Sequence, residues 1–124
     1  MRIATTGSRE YRGYKHERQT LMFLWDFNDD YHITELAVGD CPSGFDKYVT
    51  YWAQLAKANL TVYHANWRKH GKAAGPIRNR EMLEDFKPDL LVAFPGGKGT
   101  HNCMRTAWEM EIPVWCPLRG YFGP

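Results

Sequence analysis

The stretch DLLVAFPGGKGTH, residues 89–101, decides the fold. Asp89 to Phe94 is an apolar run of the kind that marks a strand buried on both faces. Pro95 breaks it, and Gly96, Gly97 and Gly99 follow, interleaved with Lys98 and Thr100. Each glycine costs backbone entropy, so such a cluster implies a conformational or steric purpose. Cys103, Ala107 and Met110 then fall near helical spacing. The segment reads as a strand buried on both faces, a glycine turn and the start of a helix, a βα unit.

Working outward, the neighbours are legible. Ile3 to Thr6 reads as a first strand, stopped by Gly7-Ser8. A helix is expected from about Lys15 to Asp29, where Leu21, Leu24, Trp25 and Asn28 recur near helical spacing. Glu35 to Val38 is a second strand, ended by Gly39. Phe45, Val49, Trp52, Ala53 and Ala56 form the apolar stripe of an amphipathic helix. Leu60 to Tyr63 is a third strand. A polar stretch, 65–75, precedes a helix beginning near Pro76, since proline suits a first helical turn. Val114 to Cys116 is a fifth strand and residues 118–124 a tail.

Strands and helices therefore alternate, which predicts a three-layer α/β fold of Rossmann-like type. Right-handed crossovers reduce the arrangements to a five-stranded parallel sheet of order 3-2-1-4-5, with helices on both faces. Its switch point lies between strands 1 and 4, and ligands of open α/β sheets bind at the carboxyl ends of strands at such a switch. The loops Gly7-Ser8-Arg9 and Pro95 to Thr100 should meet there.

Composition narrows the function. The 124 residues suit one domain, 1–124, and the net charge of +2 gives no general field for nucleic acid. The longest apolar runs are too short to span a bilayer. Met1-Arg2 leads straight into a strand-like segment, so no targeting peptide and a cytoplasmic location are expected. Three cysteines without a C-x-x-C pair, and five scattered histidines, imply no disulfide framework, no metal site and no cofactor.

Several residues carry chemistry. Glycines 96, 97 and 99 would let backbone N–H groups approach an anion at a helix N-terminus. Lys98 adds charge, and Thr100 caps the helix or bonds a phosphate oxygen. Neither the Walker A nor the G-x-G-x-x-G spacing is present. Asp46 at the start of the second helix either holds a ribose hydroxyl or complements the dipole. Trp67, in the basic stretch Asn66 to Pro76, either stacks on a base or anchors its loop. Arg78 sits badly for the macrodipole, which implies an anionic partner in a ligand or a neighbouring carboxylate. Asn79, at the same end, could reach a ligand, whereas Arg80 is spaced to pair with Glu84.

Gly7-Ser8-Arg9, Gly44-Phe45-Asp46, Ala65-Asn66-Trp67, GKAAGPIRNREM (71–82) and AFPGGKGT (93–100) resemble the YspA-like branch of the SLOG superfamily. The likeness runs across nearly the whole chain. It implies a Rossmann-like domain that binds a nucleotide or nucleotide-derived small molecule, as a sensor, carrier or sequestering protein. Gly96, Gly97, Gly99 and Thr100 would cradle phosphate, Arg78 and Lys98 would supply charge, and Gly7, Ser8 and Arg9 would form the opposite wall. The related LOG enzymes cleave the base from nucleoside 5′-monophosphates and carry acidic residues after their P-G-G-x-G-T motif. Here His101-Asn102-Cys103 stands in that place. Asp46, Glu81 and His101 are the candidate substitutes for a catalytic carboxylate. The first expectation is thus a binding protein, the second a cofactor-free phosphoribohydrolase, and the third a nucleic-acid or protein interaction module. LOG-like relatives are often dimers, and Trp108, Trp115, Tyr121 and Phe122 could serve a homodimer or simply the core.

Overall fold

The structure, a computed structural model, describes residues 1–118 and the backbone of 121–122. The elements are β1 (Arg2–Thr6), α1 (Tyr14–Tyr31), β2 (Glu35–Gly39), α2 (Phe45–Ala56), β3 (Asn59–Tyr63), α3 (Trp67–His70), a 3-10 turn (Gly71–Ala73), α4 (Ala74–Phe86), β4 (Leu90–Ala93), α5 (Lys98–Glu109), β5 (Val114–Cys116) and β6 (Tyr121–Phe122). The sheet runs β3-β2-β1-β4-β5-β6. The first five strands are parallel, in the predicted order 3-2-1-4-5.

Strand alternation builds the layers. Ile3, Leu36, Val38, Leu90, Val92 and Phe94 share one core with Leu24 and Phe27 of α1 and with Phe45, Val49 and Trp52 of α2. The intervening residues Ala4, Ala37, Leu91 and Ala93 join the other core with Met82, Leu83 and Phe86 of α4 and Cys103, Met104 and Ala107 of α5. Side chains one residue apart point to opposite faces, so a run such as LLVAF feeds both cores at once. The small alanines on the second face leave room for Met82 and Met104.

Two expectations are corrected. The 118–124 tail contains β6, which pairs antiparallel with β5 (Trp115 opposite Phe122), so the sheet has a sixth strand. The polar stretch is helical: Asn66 caps α3 by accepting the Lys69 N–H at 3.0 Å, and a 3-10 turn leads into α4, which begins at Ala74 rather than Pro76. Trp108 is exposed, whereas Trp115 packs against the α1 core; the side chains of Tyr121 and Phe122 lie outside the described residues. No described helix is long and apolar enough to cross a membrane.

β1 pairs with both β2 and β4, Ile3 lying beside Leu36 on one side and Leu90 on the other. The loops at its end are held by close backbone approach. Gly44, at φ +75°, enters α2 so near β1's loop that a Cβ would stand 2.4 Å from the Arg9 carbonyl oxygen. Gly44→Ala is expected to cost roughly 2–4 kcal/mol, from left-handed strain plus a clash with unyielding backbone. Urea unfolding checks this; an unchanged midpoint would show that the loop yields.

Candidate functional site

The loops after β1 and β4 meet at the switch point. The Ser8 N–H donates to the Pro95 carbonyl at 3.1 Å, and the Phe94 N–H donates to the Thr6 carbonyl at 2.9 Å. Ser8 has further internal partners: its carbonyl accepts from Tyr11 and Phe45, and its hydroxyl accepts from the Glu10 N–H. Gly7 is needed because a Cβ there would lie 2.5 Å from the Phe45 ring. The expected opposite wall is therefore chiefly a clasp between loops, and only Arg9 extends into solvent.

The glycine cluster divides its work. A Cβ on Gly96 would fall 2.0 Å from the Thr100 hydroxyl oxygen, so this glycine exists to admit that side chain. Around Gly97 and Gly99 a Cβ would meet nothing within 4 Å, so no packing demands glycine there. Gly97 is the N-cap of α5, and no side chain caps this end. Thr100 thus lies inside the first turn rather than capping it. The residue as a whole is only 4% exposed, but its hydroxyl is not sealed from solvent and has no hydrogen-bond partner among the described residues. The amides of Lys98, Gly99 and Thr100 are the donors that a helix leaves unsatisfied at its start. Lys98 is exposed beside them.

Arg78, on α4, reaches across the end of β2. Its Nη1 donates to the Asp40 carboxylate at 2.9 Å. That carboxylate also accepts the Ala65 N–H at 3.2 Å and lies 3.3 Å from His64 Nδ1. Gly39 makes room: a Cβ there would come within 2.7 Å of Arg78 Nη1 and 2.8 Å of the Asp46 carboxylate. The anionic partner that Arg78 implied is thus Asp40. The sequence reading overlooked Asp40, although its place directly after β2 was the available signal. Arg80 pairs with Glu84 at 3.3 Å as spaced.

Asn79 is buried and works within the protein. Its side-chain amide donates to the Gly99 carbonyl at 3.1 Å and to Asn102 Oδ1 at 3.2 Å, while its own oxygen accepts from Arg78 Nε at 3.1 Å. These contacts join the Arg78–Asp40 pair to the first turn of α5.

Of the three candidate carboxylate substitutes, one reaches this cluster. Asp46, only 7% exposed, lies against Gly39 and accepts the Cys41 N–H at 3.3 Å. Burial pushes its carboxyl up to about 6; the Cys41 N–H and Arg78 pull down, and Asp40 pushes up. Cys103, in the first turns of α5, is also buried there. Burial drives its thiol up to about 12, against opposing contributions from Thr6 and Arg78. Glu81 is exposed on α4, away from the cluster's contacts, and His101 is exposed at the edge of the glycine loop. Trp67 is 57% exposed, its indole edge resting over Gly75, so it is no buried anchor. Among the described residues no group of His, Cys, Asp and Glu side chains could hold a metal ion.

A second concavity opens on the same edge of the sheet. It is a broad cleft of about 730 Å³ between the ends of β2 and β3 and the start of α2, lined by Asp40, Ser43, Lys47, Tyr51, Gln54 and His64 among others. The hollow directly behind the glycine loop, about 10 Å³, has room for no more than a water.

Comparison with known proteins places the chain. The Gene 61 protein of Mycobacterium phage D29 is 35% identical over a 124-residue alignment that covers 91% of this chain and 93% of the phage protein. The chain belongs to the family of that phage protein. No family model matches it. Among solved structures, UDP-GlcNAc 2-epimerase from Neisseria meningitidis, bound to UDP-GlcNAc, is similar over 92% of this chain, with a TM-score of 0.61 and 18% identity. The chain spans 31% of the epimerase's length, and the likeness establishes a Rossmann-like α/β fold.

Asp46 makes a pH prediction. Its native pKa stands above the ordinary 3.8, so the folded state holds the proton more tightly, and stability from this group falls as pH rises from about 4 to about 6. Asp46→Asn removes that dependence. The stability difference, variant minus wild type, should therefore rise across this range by up to roughly 3 kcal/mol. Urea titrations at several pH values check it, and a pH-independent difference would refute the assignment.

Proposed function

We propose that the protein binds a nucleotide or nucleotide-derived small molecule, with a phosphate seated on Gly97, Lys98, Gly99 and Thr100. The observation that carries this reading is the Thr100 hydroxyl, without a hydrogen-bond partner among the described residues and set beside the open amides of α5. A phosphate oxygen would satisfy both, in the field of the helix N-terminus. Lys98 adds a cation that has no ion-pair partner among the described residues. The open space over Gly97 and Gly99 is what close approach of an anion requires. The resemblance to the SLOG superfamily supports the same class of ligand. So does the epimerase, a Rossmann-like protein whose structure holds a nucleotide sugar.

Hydrolysis is the second reading, and Asp46 is the observation in its favour: a carboxylate pushed to about 6 in the switch-point cluster. A general base needs reach to the attacking water. Asp46 is instead buried against Gly39 and Arg78, so binding without turnover is preferred.

The test is a thermal-shift panel of nucleoside mono- and diphosphates and nucleotide sugars. A ligand at 100 times its dissociation constant should add ~2.7 kcal/mol of stability. Thr100→Val keeps the shape over Gly96 and removes the hydroxyl, and Gly97→Val fills open space. Both should fold as the wild type does and lose the shift. Arg78→Ala is a poor probe, because it would also strand Asp40. No shift from any member of the panel, or shifts unchanged in both variants, would overturn the reading. Release of free base from a monophosphate would promote hydrolysis over binding.

A further inference from the structure

We infer that the cleft beside α2 is a second subsite of the same ligand, and that this ligand is two-headed: a nucleoside joined through phosphates to a further group. The inference rests on the phosphate reading of the glycine loop and extends it.

Position comes first. The cleft opens at Gly39, Asp40 and the 41–44 loop after β2 and at Val62 and His64 at the end of β3, and it runs along α2 from Lys47 to Gln54 in the last turn. The strand ends and loops of this lining lie on the carboxyl edge of the sheet, the edge that also carries the glycine loop, and α2 leads away from it. Asp40 belongs to both regions, since it lines the cleft and holds Arg78, whose neighbour Asn79 holds Gly99. The β1 loop forms the saddle between them. Ser8 is bonded to Pro95 on one side, and the Arg9 carbonyl abuts Gly44 on the other.

Span comes second. From β4, which feeds the glycine loop, to the midline of β2 and β3 is two and a half strand spacings. At about 4.8 Å each that is roughly 12 Å. This is farther than a mononucleotide's phosphate stands from its own base, and it matches a molecule with groups on both sides of a diphosphate.

Chemistry comes third. Lys47, Tyr51 and Gln54 lie at i, i+4 and i+7 on α2, so they share one face toward the cleft. Tyr51 is 46% exposed and offers a ring for a base to stack on. Gln54 has a donor and an acceptor for a base edge. Asp40, whose two oxygens take their present donors with lone-pair capacity to spare, suits a ribose diol. Lys47 suits phosphate, whereas Arg12 already pairs with Glu10 at 3.0 Å and Glu17 lines the same cleft.

Calorimetry separates the two subsites. The probes are NAD+, diadenosine diphosphate and UDP-GlcNAc as two-headed ligands, with AMP, UMP and pyrophosphate as halves. At least one two-headed probe should bind about tenfold or more tightly than any half. Tyr51→Ala, at an exposed position, should remove that advantage and leave pyrophosphate affinity unchanged, whereas Thr100→Val should weaken both. If two-headed probes bind no better than their halves, or Tyr51→Ala and Lys47→Glu leave their affinity unchanged, the cleft is no subsite, although the phosphate reading survives. If neither pyrophosphate nor any two-headed probe binds, both readings fall.

Discussion

A guanidinium laid over a glycine holds the ligand edge of this fold together. Arg78 comes from α4, behind one face of the sheet, and crosses the end of β2 to pair with Asp40. The crossing is open only because position 39 has no side chain. The Asp40 carboxylate ties β2 to the chain after β3 through the Ala65 N–H, and Asn79 carries the link to the first turn of α5. The two side chains of the ion pair are only 15% and 23% exposed, so loss of either partner would leave a largely desolvated charge. The pair acts less as a source of net stability than as a positional constraint on the chain after β2, the chain after β3 and the start of α5.

That constraint explains which parts of the molecule were legible in the sequence. The layer order followed from periodicity alone: the LLVAF run could only be a central strand, and the alternation of Ile3 with Ala4 or Leu36 with Ala37 feeds two cores. The turn 67–73 was hidden because WRKHGKA has no apolar period, and its helicity starts from a single local cap at Asn66. β6 was hidden because two residues cannot show a period of two. Partner choice was the least legible. Asn79 and Ser8 look like ligand-binding residues in a list of polar positions, yet each spends its hydrogen bonds on protein groups brought close by topology. Arg78 was the exception, because a cation in the first turns of a helix is a local conflict that demands an external anion.

The same distinction applies among the glycines of PGGKGT. Gly96 is explained inside the protein, by the Thr100 side chain that fills the space a Cβ would need. Gly97 and Gly99 have no such explanation, and α5 would gain from alanine in place of Gly99. A residue that weakens its own helix, where a side chain would meet nothing, is understandable where something outside the chain approaches.

The buried chemistry behind the loop points the same way. Behind the glycine loop, Cys103 carries a thiol raised to about 12, which near neutral pH neither donates nor accepts a proton usefully. Asp46 has a better-tuned carboxyl, but burial is what tunes it, and burial also separates it from solvent. The desolvation that raises its pKa therefore removes the water it would have to activate. At the surface of the same cluster stand amides, a hydroxyl and a lysine, groups that attract and orient an anion. Donors outside and an acid sealed beneath favour the proposed phosphate binding over the proposed hydrolysis.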